Sequence, residues 1–417
     1  MSFRKRLALV LAGALAVRLL YTIAVAGNEY SPGPFGDFFF YHELANLLAD
    51  GRGFVAPFTF EHSGAVEPTA EHPPLWPLLL AAASEVGGNG LLSHRLVGVP
   101  VGVATVGLLA LIGRRLAGDT AGLVVAAIGA THPLLIAADG SLMSETLYGF
   151  WVAAALLLAL RLVERPTLGR AAALGAAIGL ASLTRGEGLV LLVLLAAPAA
   201  WRGGGGARRR LALGGAALAA AALVIAPWTI RNVTTFDRPV LLSTNDATVI
   251  TGANCHDTYH GRDLGFWRTE CRSPLRPGKN EAEQAAVWRE EGAEYARDHA
   301  GRLVTVVVPV RVMRTWNVWQ PKRQVDLAEG RDRTMETLGV GTYFLLLPLA
   351  VAGALQLRRR RAPLWLLLVP PVAVTIVSVT AYGYTRFRHS ADLAIVVLAG
   401  LALAHLAERR RQTTGVR

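Results

Sequence analysis

Residues 4–26 read RKRLALVLAGALAVRLLYTIAVA: three cations, then an apolar run whose one charge is Arg18. A run of this length is close to the roughly 20 residues an α-helix needs to cross a bilayer. Comparable runs recur at 94–113, 120–138, 145–161, 170–184, 187–201, 211–228, 337–357, 363–382 and 390–407. They are rich in Ala, Leu, Val and Gly, which suits helices packed in lipid and not barrel strands. With 53% hydrophobic and 17% charged residues over 417 positions, the chain is too apolar for an ordinary soluble protein. The pattern predicts an all-α, polytopic integral membrane protein of about ten transmembrane helices. Two large outer loops, 27–93 and 229–336, are expected to carry interfacial helices. They divide the chain into a core, 1–228, an outer region, 229–336, and C-terminal helices with a basic tail, 337–417.

Charge gives the orientation. The formal net charge is +12, which by itself would suit nucleic acid, but the cations punctuate every second connection. They stand at Arg4-Lys5-Arg6, Arg114-Arg115, Arg161/Arg165/Arg170, Arg202 with Arg208-Arg209-Arg210, Arg358 to Arg361, and Arg409-Arg410-Arg411. Ten spans and a cytoplasmic N-terminus put all of these inside a cell membrane, as the positive-inside rule requires. Loop 27–93 has the opposite balance: Glu29, Asp37, Glu43, Asp50, Glu61, Glu67, Glu71 and Glu85 stand against Arg52. No nucleic-acid partner is needed. The same parity excludes 303–320 as a span, so this stretch is expected to lie on the outer interface with Trp316 and Trp319 at headgroup level. A cleaved leader ending at Ala24-Val25-Ala26 is the alternative to a retained first helix. The length of the run and Arg18 favour retention.

Cys255 and Cys271 both fall in the second outer loop, where an even count on the oxidising side reads as a disulfide. A zinc site with His256 and His260 matches no common spacing. Gly203 to Gly206 follows no strand and carries no phosphate-loop lysine, so it reads as a flexible linker. Within loop 27–93, Phe40, Leu44 and Leu47/Leu48 recur at helical spacing while Glu43 and Asp50 point away, and Pro73-Pro74 opens a second helix.

Short motifs stand at the expected outer ends of the spans. They are Gly36-Asp37-Phe38-Phe39-Phe40-Tyr41-His42, Glu71-His72-Pro73-Pro74-Leu75-Trp76 and Asp139-Gly140-Ser141-Leu142-Met143-Ser144-Glu145-Thr146. Further along come Leu183-Thr184-Arg185-Gly186-Glu187, Pro227-Trp228-Thr229-Ile230-Arg231-Asn232 and Tyr382-Gly383-Tyr384-Thr385-Arg386-Phe387-Arg388-His389. Each has a plain reading: Asp37 caps a helix, Ser144 caps another, and the arginines snorkel to headgroups. In this order, however, they resemble the lipid-linked-sugar glycosyltransferases of the GT-C superfamily. The likeness is to the family-39-like branch of protein O-mannosyltransferases and bacterial aminoarabinose transferases, over about residues 7–400.

The resemblance implies roles. Asp37 would be the catalytic base, with Phe38 where many members place a second acid. Glu145 would be the second acid, with Asp139 as its competitor. Glu71 and His72 occupy an acidic-basic-Pro-Pro-Leu motif, with His in place of Lys. Glu71 and His72 are thereby candidate ligands of a divalent metal, and His72 also a contact for the donor phosphate. Arg185, Arg231, Arg386 and Arg388 would meet that phosphate. The implied activity is inverting transfer of a sugar from a polyprenyl-phosphate donor to a hydroxyl of a glycan, lipid or protein on the outer face of the membrane. The rival is a transporter or lipid flippase without glycosyl transfer, which would place its ionisable residues near the bilayer midplane of symmetry-related halves.

Overall fold

The computed structural model describes residues 1–27, 36–236, 238–327 and 329–414, with side chains to Arg409. Glu29 and the side chains of Arg410 and Arg411 lie outside the described residues. Among those described the protein is helical, with one isolated bridge, Val55 to Pro68, and no strand.

Six helices among the described residues are long and apolar enough to cross a membrane: Phe3–Ala26, Leu91–Thr131, Glu145–Glu164, Ala207–Thr235, Arg333–Arg359 and Thr385–Arg409. Leu168–Ser182 and Trp365–Thr380 are shorter apolar helices. The expected spans 94–113 and 120–138 are the two arms of Leu91–Thr131 (the second arm continuing as Pro133–Asp139), which breaks at Ala117-Gly118. Gly118 takes φ +88°, a conformation that glycine adopts without steric cost. Beyond it the arms pack face to face: a Cβ on Gly122 would lie 2.7 Å from the Ala110 carbonyl oxygen.

The basic clusters meet at one end of the bundle. Arg114 lies over Phe3, Arg115 pairs with Glu164, Arg209 donates to the Pro166 carbonyl, Arg202 lies over Trp365, and Arg360 meets His405. Glu145 and Glu164 begin and end one helix, so the Asp37 end described below is about 30 Å from these cations. Around the rim Leu9, Leu20, Leu211 and Leu223 are exposed, as a lipid-facing belt requires, whereas Leu393, Val396 and Val397 bury the last helix at the centre.

At the other end, helices Asp37–Ala49 and Leu75–Ser84 pack together around Phe38, Phe40, Leu44, Trp76 and Leu80. Asn245–Ala253 and Glu281–Asp298 form the second layer, and Cys255 and Cys271 are disulfide-bonded. Glu281 joins the layers, accepting from the Thr69 hydroxyl, the Ala70 amide and the Thr244 hydroxyl at 2.6–2.8 Å.

The stretch expected on the interface is helical up to Thr315, but its tryptophans do not both face headgroups. Arg311 and Arg314 are buried and turn to the carbonyls of Ala253 and Leu264, each at 2.6 Å. That rotates Trp316 inward, where its indole N–H reaches the Thr375 hydroxyl. Ser144 also departs from the plain reading. It stands at the N-cap but makes no capping bond, and its hydroxyl instead accepts from Tyr41 and Arg185.

Candidate active site

Asp37 opens its helix directly after Gly36, whose φ of +125° lets the chain turn sharply into the first turn. A Cβ at Gly36 would sit 2.3 Å from Glu329 Oε1 and would displace that carboxylate. That same oxygen accepts the Asp37 backbone N–H at 2.9 Å. The Asp37 carboxylate then divides its contacts. Oδ2 accepts from Arg386 at 2.6 Å, and Oδ1 faces His72 Nε2 at 3.5 Å. Pro73-Pro74 and the bond from the Leu75 amide to the Leu183 carbonyl (2.9 Å) seat His72, and its ring lies against Phe40 and Tyr41.

Arg386, in the turn before the last helix, meets three acids at once: Asp37 at 2.6 Å, Glu145 at 2.7 Å and Glu329 at 2.7 Å. Glu145 Oε1 also accepts from Arg185 at 2.7 Å, while its buried Oε2 has no hydrogen-bond partner. Arg185 completes the group through Glu187. Glu145 is 2% exposed and holds the arginines from behind; Asp37 and Glu329 are each 27% exposed and line the cavity.

Charge tunes these groups in opposite directions. Burial works to raise the Asp37 carboxyl, but Arg386 and His72 outweigh it and hold it far below the usual range. Burial works to lower His72, and Asp37 and Glu71 outweigh it, so His72 is raised toward the imidazolium. Glu329 is pushed up to about 7 by burial and by Asp37 beside it. Glu71 is also raised to about 7, chiefly by burial.

A cavity of about 1130 Å³ opens over this cluster. Asp37, His72, Arg185, Glu329 and Arg386 line it on one side, and Val190, Ile376 and Val377 give it an apolar flank among the spans. Phe266, Trp267 and Tyr382 form another wall. A concave site with few converging charges and an apolar flank fits a small polar head on a greasy tail.

Residues 71–230 match the family model described as dolichyl-phosphate-mannose-protein mannosyltransferase. Along its whole length the chain also shares the fold of the oligosaccharyltransferase AglB from Archaeoglobus fulgidus, solved with an inhibitory peptide and a dolichol-phosphate. The TM-score is 0.58 at 15% identity, with 99% of this chain and 51% of AglB covered. Residues 71–230 are thus similar to that mannosyltransferase family, and the fold is the one seen in AglB. The chain spans about half the length of AglB. Lesser likenesses are to the Saccharomyces cerevisiae Pmt1-Pmt2 complex (TM-score 0.45, 17% identity, 61% of this chain and 36% of that one) and to ArnT from Cupriavidus metallidurans (0.43, 16%, 96% and 78%). Among curated proteins none matches.

Within this fold the motif residues divide into two groups. Asp37, His72, Arg185 and Arg386 converge on the cavity, with Glu145 directly behind. Arg231 and Arg388 do not line it. Arg231 donates to the carbonyls of Thr69 and Phe54 and lies against Phe54, Trp228 and Phe236. Arg388 is fully buried with Asp392 and the Tyr343 ring. Asp139, the competitor of Glu145, is held by Arg18 at 2.6 Å and by Thr146.

Glu71 and His72 do not form a ligand set. His72 is spent on Asp37, and among the described residues no three His, Cys, Asp or Glu side chains gather to hold a metal. The place a cation would take between Asp37, Glu145 and Glu329 is filled by Arg386, so these residues do not fit a divalent ion there. Glu329 is the site residue that the sequence motifs miss. It sits among Asp326, Arg331 and Asp332 in an ordinary polar linker, and only Tyr384 marks it out: that hydroxyl clamps the linker, donating to the Leu327 carbonyl and accepting the Glu329 amide.

Proposed function

We propose that this protein transfers a sugar from a polyprenyl-phosphate donor to an acceptor hydroxyl on the outer face of the membrane, with inversion at the anomeric carbon. The observation that carries the reading is a cavity-lining carboxylate, Asp37, held between Arg386 and His72 and beside an apolar flank. The polyprenyl chain lies along Val190, Ile376 and Val377, and the phosphate meets Arg185, Arg386 and His72. Asp37 takes the proton of the acceptor hydroxyl as its oxygen bonds to the anomeric carbon. The bond from that carbon to the phosphate oxygen breaks, and the electron pair leaves with the polyprenyl phosphate.

Before the donor arrives, Arg386 and His72 keep Asp37 ionised but weakly basic. The phosphate anion offsets both cations and raises the proton affinity of Asp37 when it is needed. Glu329 positions the base by accepting its backbone N–H and holds Arg386 beside it; when the guanidinium shifts toward the phosphate, His72 stays on Asp37 and Arg185 on Glu145.

The test is sugar transfer in membranes supplied with a panel of radiolabelled polyprenyl-phosphate sugars. Transfer by wild type that is lost in Asp37→Asn at equal protein level is the expected result. Equal transfer by both would remove Asp37 from the mechanism. Movement of lipid across the membrane with no transfer from any donor would favour the flippase.

A further inference from the structure

The wall formed by Phe266, Trp267 and Tyr382 has no part in the chemistry above, and it is built with care. Two glycine-bearing turns, Gly265-Phe266-Trp267 and Tyr382-Gly383-Tyr384, are joined by the Gly383 amide donating to the Gly265 carbonyl at 2.8 Å. Gly265 takes φ +75°, and a Cβ on Gly383 would sit 2.3 Å from the Arg311 carbonyl oxygen, so neither turn admits a side chain there. The rings interlock: Phe266 meets Tyr382 edge-on at 5.9 Å, and Trp267 lies 6.3 Å from Tyr382 at 31°.

Trp267 is fixed by its indole N–H to the Thr248 carbonyl at 2.8 Å, and a Cβ on Gly252 would sit 2.1 Å from that nitrogen. Four residues on, Cys271 ties the loop to Cys255. Phe266, Trp267 and Tyr382 remain partly exposed, and all three line the cavity and not the lipid belt. The Tyr382 hydroxyl has no hydrogen-bond partner among the described residues, and the charges of Arg386 and Asp37 act on it. Asp246 and Glu270 line the same cavity, each a carboxylate on an exposed arginine pair.

We propose that this wall is a stacking platform for a sugar ring of the acceptor, which makes the acceptor a carbohydrate and not a peptide. The inference rests on the transfer reading above and names its acceptor class. The C–H face of a sugar ring packs on an aromatic face, and hydroxyls at the ring edge bond to carboxylates and to a free tyrosine hydroxyl. The platform serves the acceptor and not the donor because it is supplied largely by the second outer loop, whereas the lipid-borne donor enters along the apolar flank.

The experiment uses the full chain in lipid nanodiscs without donor, titrated with a panel of neutral trisaccharides of mannose, galactose, glucose and arabinose and with a hydroxyl-containing peptide. Binding is followed by saturation-transfer NMR at up to about 10 mM. At least one trisaccharide should bind, and Trp267→Ala and Tyr382→Ala should each weaken it about tenfold. Trp267→Tyr, which keeps an aromatic face, should restore most of the affinity, which separates stacking from misfolding. No trisaccharide binding, equal binding by the alanine variants, or binding of the peptide alone would overturn the platform.

Hydrolysis of the donor by water, measured in the same nanodiscs, reads the transfer chemistry separately. Hydrolysis without trisaccharide binding overturns the platform and leaves the transfer reading standing. Trisaccharide binding with donor hydrolysis unchanged in Asp37→Asn overturns the assigned chemistry and leaves the platform.

Discussion

Arg386 and Arg388 stand in one turn, Thr385–Arg388, yet their surroundings differ in kind. Arg386 meets Asp37, Glu145 and Glu329 beside an open cavity; Arg388 is sealed in the core with Asp392 at 2.9 Å and the Tyr343 ring at 3.8 Å. Arg18 and Asp139 repeat the second pattern, 1% and 3% exposed and joined at 2.6 Å. In each sealed pair one cation meets one acid and nothing can enter, so the ions serve the fold. At the cavity the acids outnumber the cations that hold them, and Asp37 and Glu329 are both open to a visitor. Buried charge by itself does not mark a membrane active site. Unequal charge with access does.

The comparison can be broken most sharply at Asp37. Asp37→Asn should lower sugar transfer about 10³-fold or more, with the protein still folded, when turnover is normalised to correctly folded material. Arg386→Gln should cost about 10²–10³-fold in transfer, and Arg386→Lys should recover only part of it, because a single ammonium cannot reproduce contacts to three carboxylates. Arg388→Gln or Arg18→Gln should show the opposite profile. Each leaves a buried acid unpaired, at about 3–5 kcal/mol, read as a lower melting temperature with turnover per folded molecule unchanged.

Acidity sharpens the contrast further. Glu329 is raised to about 7, so it is ionised above that pH and loses its charge as pH falls through it. Its grip on Arg386 weakens in the same range, and transfer should fall below about pH 7 in a pH–rate profile. That limb should flatten in Glu329→Gln. It should persist in Glu71→Gln, although Glu71 is raised to a similar value, because Glu71 does not touch Arg386. The smallest effect is expected at Arg231: Arg231→Gln should change turnover less than about threefold while loosening the 54–70 loop, seen as faster amide exchange there.

Much of this was legible in the chain because membrane helices announce themselves by length and composition. Basic ends, the acidic first loop and the Pro-Pro helix start are local signals, and Asp37, His72, Arg185 and Arg386 do meet. The same signals could not separate Arg386 from Arg388, or Glu145 from Asp139, because pairing partners lie far along the sequence: 349 residues separate Arg386 from Asp37. Trp316 departs from the expected interface for a related reason. The carbonyls of Ala253 and Leu264 draw Arg311 and Arg314 inward, and that rotates the helix. Glu329 had no local signal at all. Its role comes from a linker folded back over the start of helix Asp37–Ala49 and clamped by Tyr384.

The most direct measurement is donor turnover by purified Asp37→Asn and Arg388→Gln in nanodiscs, each scaled to its folded fraction. The expected result is no turnover by fully folded Asp37→Asn and near wild-type turnover by the smaller folded fraction of Arg388→Gln. Turnover retained in Asp37→Asn, or lost per folded molecule in Arg388→Gln, would contradict the division between an open reactive cluster and sealed structural pairs.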